Sequence, residues 1–356
     1  MNQRVVEIGA KPVGEGYPVY IIFEAGQTHQ GLESCKQLVD VAAEARADAI
    51  KFQIFDPLRL VPCADIVDEY EILVDKKTGQ TELVQEPLIE SFKRHALCLE
   101  EWHEVKRHAD NRGINFFATV AFPEDVDFLS KIGINVFKIC SADLNHHPFI
   151  RYVAEKNLPI MIDTGSSTIG EVEKTVDIIR STGNDQIIIN HCPSGHPARI
   201  DSVNLRVIKT LKAMFPYPIA FSDHNPGWDM DIAAVALGAH IIEKTITTDR
   251  TIKEAEHIES VEVEDAYKMV QAIRDLEKAL GLPRILKENV AVKQRVIRRS
   301  IYVVKDMAQH QELTWDCIDF RRPGRGLSPE LLEVLLGKKL KRAITANTML
   351  TWEDFI

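Results

Sequence analysis

PIMIDTGSSTIGEVEKTVDIIRSTGNDQIIINHC, residues 159–192, carries two short apolar runs, PIMIDTG (159–165) and QIIINHC (186–192), on either side of GEVEKTVDIIRST (170–182). Both runs are nearly continuous in apolar side chains and end in a polar or glycine-containing tip, the pattern of parallel strands covered on both faces. In the segment between them Val172, Val176 and Ile179 recur at four- and three-residue spacing, which lays one apolar stripe along a helix. Strand, helix and strand in that order make a parallel pair joined by a crossover helix.

The same rhythm extends both ways. VYIIFEAG (19–26), DAIKFQIF (48–55), NFFATVAF (115–122) and VFKICS (136–141) precede the unit, and PIAFSD (218–223) and HIIEKTIT (240–247) follow it. LESCKQLVDVAAEA (32–45), SVNLRVIKTLKAMF (202–215) and EDAYKMVQAIRDLEKAL (264–280) have helical spacing. Strand signals alternating with helices over about 250 residues predict an α/β fold of the (β/α)₈ TIM-barrel type. A doubly wound open sheet is disfavoured because no glycine-rich dinucleotide fingerprint follows the first strand. The barrel is expected over residues 1–282. Residues 56–85, long and acidic, interrupt the rhythm and are expected to form a rim loop that belongs to a site. A linker is expected over 283–295. Beyond it, 296–356 holds short strand-like pieces, RSIYVVKDM and TWDCIDFRRPGRG, and the short helix SPELLEVLLG, which predict a small separate module. A module of that size gains from docking onto something larger.

With 356 residues, 45% hydrophobic and 27% charged, the composition is that of a packed globular protein. The net charge of −10 and the lack of a basic stripe argue against nucleic-acid binding, so attraction of an anionic ligand must come from a few focused lysines and arginines. Six scattered cysteines read as reduced thiols, and neither a signal-peptide layout nor a run of 18 apolar residues is present. The expectation is a cytoplasmic protein without a membrane span.

Barrel chemistry sits where strands end. The ends offer Glu24; Lys51 and Gln53; Thr119; Lys138, Ser141 and Asp143; Asp163; Asn190, His191, Ser194 and His196; Ser222, Asp223 and His224; Glu243, Lys244 and Thr245. Lys51 and Lys138 lie inside apolar runs, and a buried ammonium must find an anion or lose its proton. Two such lysines with Thr119, Ser141 and Ser222 as hydroxyl donors point to a phosphate or carboxylate ligand. Pairing with a barrel carboxylate such as Glu24 or Glu243 is the equally available alternative. Among the histidines, His191 reads as a core residue and His224, in a polar tip, as the best metal-ligand candidate.

YIIFEAGQTHQGLESCKQLVDVA, ADAIKFQ, FFATVAF, VFKICSAD, IDTG, INHCPSGHP, FSDH and AAVALGAHIIEK follow one another in an order that resembles the sialic acid synthase family. RRSIYVVKDM and RRPGRGLSPELL resemble that family's antifreeze-like (SAF) domain. The resemblance implies condensation of phosphoenolpyruvate with an N-acylated amino sugar. It places Glu24 near the reacting carbons, Lys51, Lys138, Ser141, Thr119 and Ser222 on phosphoenolpyruvate, and Gln53 and Glu256 toward the sugar, with Ser194 a further contact. His224 becomes one of two histidine ligands of a divalent ion, Mn²⁺ or Mg²⁺. Arg322 reaches into the barrel of a second subunit, which implies a domain-swapped homodimer.

Four positions depart from that pattern. Thr245 stands where the second metal histidine belongs, Asp163 replaces the serine of an STG motif, His196 takes the place of an aromatic hydroxyl, and THQG (28–31) replaces NHNG. Either the metal has moved, with Asp163, His196 and His224 as its ligands, or metal and phosphoenolpyruvate chemistry have both changed. The second case leaves a divergent paralogue, a sugar-phosphate aldolase or a non-catalytic sugar-binding subunit.

Overall fold

The computed structural model describes residues 4–63, 65–281 and 290–356. The chain divides into two compact units, residues 1–281 and 282–356. In the first, eight parallel strands close into a barrel. They are β1 (Tyr20–Glu24), β2 (Ala49–Ile54), β3 (Asn115–Val120), β4 (Phe137–Ile139), β5 (Ile160–Asp163), β6 (Ile187–His191), β7 (Ile219–Asp223) and β8 (Ile241–Thr245). Each falls within one of the apolar runs, as expected of strands whose outer face is covered by helices and whose inner face fills the barrel.

Alternation along the strands decides what the interior contains. Ile22, Ala49, Phe117, Val136, Met161, Ile188, Ala220 and Ile241 pack together as one buried inner layer. Side chains two positions apart share a face, so the next inward positions are Glu24, Lys51, Thr119, Lys138, Asp163, Asn190, Ser222 and Glu243. Every one of them is polar, and none is more than 8% exposed. The barrel therefore changes from an apolar plug to a polar ring within one step of the pleat. Neighbours in that ring lie in register as Cα partners, Glu24 with Lys51, Thr119 with Lys138, Asp163 with Asn190 and Ser222 with Glu243.

The floor has a lid that the sequence reading did not anticipate. An antiparallel hairpin, Val6–Ile8 with Lys11–Val13, inserts Val6, Ile8 and Val13 into the inner apolar layer. The stretch expected to be a rim loop is likewise built: Val67–Asp75 pairs with Gln80–Pro87 as a second hairpin, flanked by the helices Pro57–Leu60 and Leu88–Arg94. Its Tyr70, Ile72 and Val84 pack on Ala255.

Three of the expected helices appear at Leu32–Glu44, Ile169–Ser181 and Val263–Leu280. The fourth starts late, at Val207, because Ile200–Ser202 forms a separate 3₁₀ turn. No helix among the described residues is long and apolar enough to cross a membrane.

In the second unit β9 (Ser300–Val303) pairs antiparallel with β10 (Ile318–Arg321). Ile301, Val303, Leu313, Leu335, Leu340 and Leu350 are wholly buried in that unit's own core. The expected linker lies partly outside the described residues, and its described part belongs to the helix Val290–Ile297.

Candidate active site at the mouth of the barrel

The polar ring holds two ammonium groups and three carboxyl groups. Lys138 Nζ donates to both oxygens of Glu243 at 2.8 and 2.7 Å and lies 3.0 Å from Asp163 Oδ1. Lys51 contacts Glu24 closely, approaches Glu243 at 3.5 Å and donates to Thr119 Oγ1 at 3.3 Å. Ser222 Oγ donates to Glu243 Oε1 at 2.9 Å, and Asn190 Nδ2 donates to Asp163 Oδ1 at 2.6 Å. Of the two sequence-level alternatives for the lysines, pairing with barrel acids is therefore present, and Glu243 sits where both ammonium groups converge.

Each charge state follows from its neighbours. Burial opposes the charge on Lys51, but Glu24 and Glu243 outweigh it and raise its pKa. Burial likewise opposes the charge on Lys138, and Asp163 and Glu243 reverse that effect. Burial pushes the Glu243 carboxyl up, yet Lys138, Lys51 and the bonds from Lys138 and Ser222 bring it down to about 2. For Asp163 burial wins over Lys138, and its carboxyl is raised.

A cavity of about 410 Å³ opens above the ring, lined by Glu24, Lys51, Gln53, Thr119, Ser141, Asp163, Ser222, His224, Glu243, Thr245, His196 and Glu256 among others. Lys138, 1% exposed, lies beneath it and reaches it through Glu243 and Asp163. Glu24 is fixed by the turn that follows β1. Gly26 N donates to Glu24 Oε1 at 2.7 Å, and a Cβ on Gly26 would meet Glu24 Oε1 and Gln53 Cγ at 2.4 Å. A larger residue at this position would therefore displace the Glu24 and Gln53 side chains. Gln53 Nε2 then reaches Glu24 Oε1 at 3.3 Å.

Ser194 does not join these residues, contrary to expectation. Cys192 lines the cavity, but the chain then turns outward. Ser194 bonds Ser166 Oγ at 2.9 Å in a separate cavity of about 470 Å³ beside the helices. Apart from His191 and Cys192 that outer cavity has no ionisable lining group, so it offers little chemistry. His191 Nε2 is bonded to Val203 O at 2.7 Å, the structural role expected of it.

Asp163 also stands apart from the metal set proposed for it, because Lys138 and Asn190 hold its carboxyl in the ring. His196 and His224 do meet, their rings stacked with centroids 4.2 Å apart. The acid beside them is Glu259, whose Oε1 lies 2.7 Å from His196 Nδ1. One donor atom from each of His196, His224 and Glu259 lies within 4.8 Å of the others. Glu259 Oε2 and His224 Nδ1 are buried and have no hydrogen-bond partner. Partial burial disfavours the charge on His196, 39% exposed, but Glu259 and Glu256 outweigh it and hold the imidazole well above the usual histidine range. Burial, then His196, push His224 well below that range. Thr245, on the strand next to His224, contributes only a hydroxyl.

Glu256 faces the cavity from the segment after β8 with a positive φ of 67°. Such backbone strain gathers at functional sites. Burial pushes its carboxyl up to about 8 against the pull of His196. Glu259 went unread in the sequence; its signal was a second acid in EHIES (256–260), one turn beyond Glu256. Arg322 lies in the second unit, exposed, and its guanidinium has no ion-pair partner among the described residues.

Residues 38–284 match the NeuB family and residues 298–356 match the SAF domain. An uncharacterized protein of Methanocaldococcus jannaschii is 35% identical over 99% of this chain and 98% of its own. The N,N'-diacetyllegionaminic acid synthase of Legionella pneumophila is 31% identical over 97% of both chains. Among solved structures, the N-acetylneuraminic acid synthetase of Leptospira borgpetersenii, in complex with citrate, superposes with a TM-score of 0.71 at 28% identity. That match covers 82% of this chain and 95% of the synthetase.

Proposed function

The chain belongs to the NeuB family, and from that premise we propose that it condenses phosphoenolpyruvate with an N-acylated hexosamine, free or phosphorylated, to give a sialic-acid-like nonulosonic acid. One observation carries the reading: two ammonium groups from separate strands, with the Ser222 hydroxyl, converge on a single carboxylate, Glu243, at the base of a cavity. Those donors are what an anion requires in an otherwise acidic protein, and within the ring Glu24, Asp163 and Glu243 engage them. An incoming carboxylate or phosphate takes up the donors that Glu243 otherwise engages.

In the reaction the enol carbon bonds to the sugar's aldehyde carbon, positive charge develops at the neighbouring carbon, water adds there, and phosphate leaves as the ketone forms. Lys51, Lys138, Thr119, Ser141 and Ser222 hold the three-carbon acid. Glu24, fixed by Gly26 and Gln53, places negative charge where the cation develops. Gln53 and Glu256 face the sugar. Arg322, exposed and unpaired among the described residues, reaches the acyl group in the barrel of a second copy, in a domain-swapped homodimer. A divalent metal ion, when bound, polarises the aldehyde oxygen.

The test is phosphate release from phosphoenolpyruvate with Mn²⁺ and a panel of N-acylated hexosamines. Release with at least one sugar is expected; none across the panel would overturn the reading. A non-catalytic sugar-binding role is the second reading, favoured by the internal pairing of both lysines. It requires sugar binding by calorimetry without phosphate release. A lysine Schiff base fits poorly, because both amines are held protonated by their acids. Borohydride should therefore trap no substrate on Lys51 or Lys138.

A further inference from the structure

We infer that His196, His224 and Glu259 form a divalent-metal site of two imidazoles and one carboxylate, selective for a first-row transition ion over magnesium. The inference rests on the synthase reading only for its purpose, since the site follows from the donors alone.

The three residues come from the segments that follow β6, β7 and β8, neighbouring strands of the barrel. Their donor atoms lie within 4.8 Å of one another. Ligands about 2.0–2.2 Å from one ion stand roughly 3–3.5 Å apart, so closure asks for shifts of about an ångström. His196 sits on an exposed segment that permits such a rotation.

The second indication is independent of proximity. Glu259 is completely buried, and one of its oxygens has no hydrogen-bond partner. His224 Nδ1 is equally without one. A buried carboxylate oxygen and a buried ring nitrogen left unsatisfied are each costly, and a cation satisfies both at once. Both imidazoles line the cavity, whereas Glu259 is not part of its lining. Three protein ligands of this kind leave coordination positions facing the cavity, as in catalytic rather than structural sites. Imidazole nitrogen suits first-row transition ions, while magnesium prefers oxygen ligands and retains its water.

Glu256 approaches His196 Nδ1 at 3.9 Å, farther than Glu259 at 2.7 Å, and two other acids near the mouth are engaged elsewhere. Asp163 belongs to Lys138 and Asn190, and Glu243 to both lysines and Ser222. Thr245 supplies no charge.

The experiment uses the metal-stripped full-length protein titrated with Mn²⁺, free ion being followed by electron paramagnetic resonance, with Mg²⁺ as competitor. One Mn²⁺ per chain is expected, not displaced by a large excess of Mg²⁺. Glu259→Gln and His196→Phe should each weaken Mn²⁺ binding by about 10–100-fold or more, while Asp163→Asn leaves it unchanged. Thermal melts of each variant separate a lost ligand from a lost fold. Absence of Mn²⁺ binding in the wild-type protein overturns the site, as does unchanged affinity in folded Glu259→Gln and His196→Phe, or an equal loss in Asp163→Asn. Phosphate release measured on the same samples keeps the two claims apart. Binding at these residues without release sinks the synthase reading alone, and release with binding indifferent to them sinks the site alone.

Discussion

Lys138 meets Glu243 at 2.8 and 2.7 Å and Asp163 at 3.0 Å, wholly inside the barrel. Removing the ammonium leaves two carboxyl groups buried beside each other, with Lys51, 3.5 Å from Glu243 and already paired with Glu24, as the remaining counter-charge. Lys138→Met is therefore expected to lower the unfolding free energy by about 3–5 kcal/mol, read from urea titration. A loss below about 1 kcal/mol would mean that the acids are solvated after all. Asp163 is the more informative partner for function. Burial raises its carboxyl pKa although Lys138 opposes this, so the group takes up a proton more readily than an ordinary aspartate. An anion bound beside it is repelled by the ionised form and accepted by the neutral one. Phosphoenolpyruvate should bind more tightly below that raised pKa and weaken as pH rises through it. Asp163→Asn should tighten binding at neutral pH and flatten the dependence. Calorimetric affinities across pH check both, and a variant as pH-sensitive as the wild type would refute the role.

Among the elements, the eight strands were legible because each is buried on both faces and carries an uninterrupted apolar run. The polar ring was legible for the same reason: a lysine or acid two positions beyond an inward apolar residue must also face inward. Which charges pair was not, since Lys138 and Glu243 are 105 positions apart and meet only when the barrel closes. Glu259 was hidden because the segment that carries it follows the last strand without regular structure. The hairpins were missed for a different reason. In Val67–Asp75 and Gln80–Pro87 most side chains are at least partly exposed, so acids and glutamines mask the alternation. The hairpin of Val6–Ile8 and Lys11–Val13 is too short to show a period. It nevertheless forms the floor of the barrel, and Ile8, 1% exposed, belongs to the inner layer. Ile8→Ala should cost about 2–5 kcal/mol in unfolding free energy through the cavity left behind, with phosphate release unchanged in the folded protein. A cost near zero would show the hairpin to be detached from the core in solution.

At the scale of the whole molecule, the smaller unit has a buried core of its own around Ile301, Leu335 and Leu350, yet it carries Trp315 at 62% and Trp352 at 56% exposure. The sequence identified this module but gave no physical measure of the proposed pairing of two copies, because a contact between copies leaves no periodic trace along one chain. The proposed role of Arg322 can be tested without seeing that contact. In a two-fold dimer whose arginine acts in the opposite barrel, each site draws Lys51 from one chain and Arg322 from the other. Arg322→Ala and Lys51→Met homodimers should then both be inactive in phosphate release. Unfolded together and refolded as a mixture, half of the dimers are mixed, and each mixed dimer has one site with both groups intact. Activity should return to roughly a quarter of the wild-type value. If arginine and lysine serve the same barrel from the same chain, every site in the mixture lacks one of them, and no activity returns.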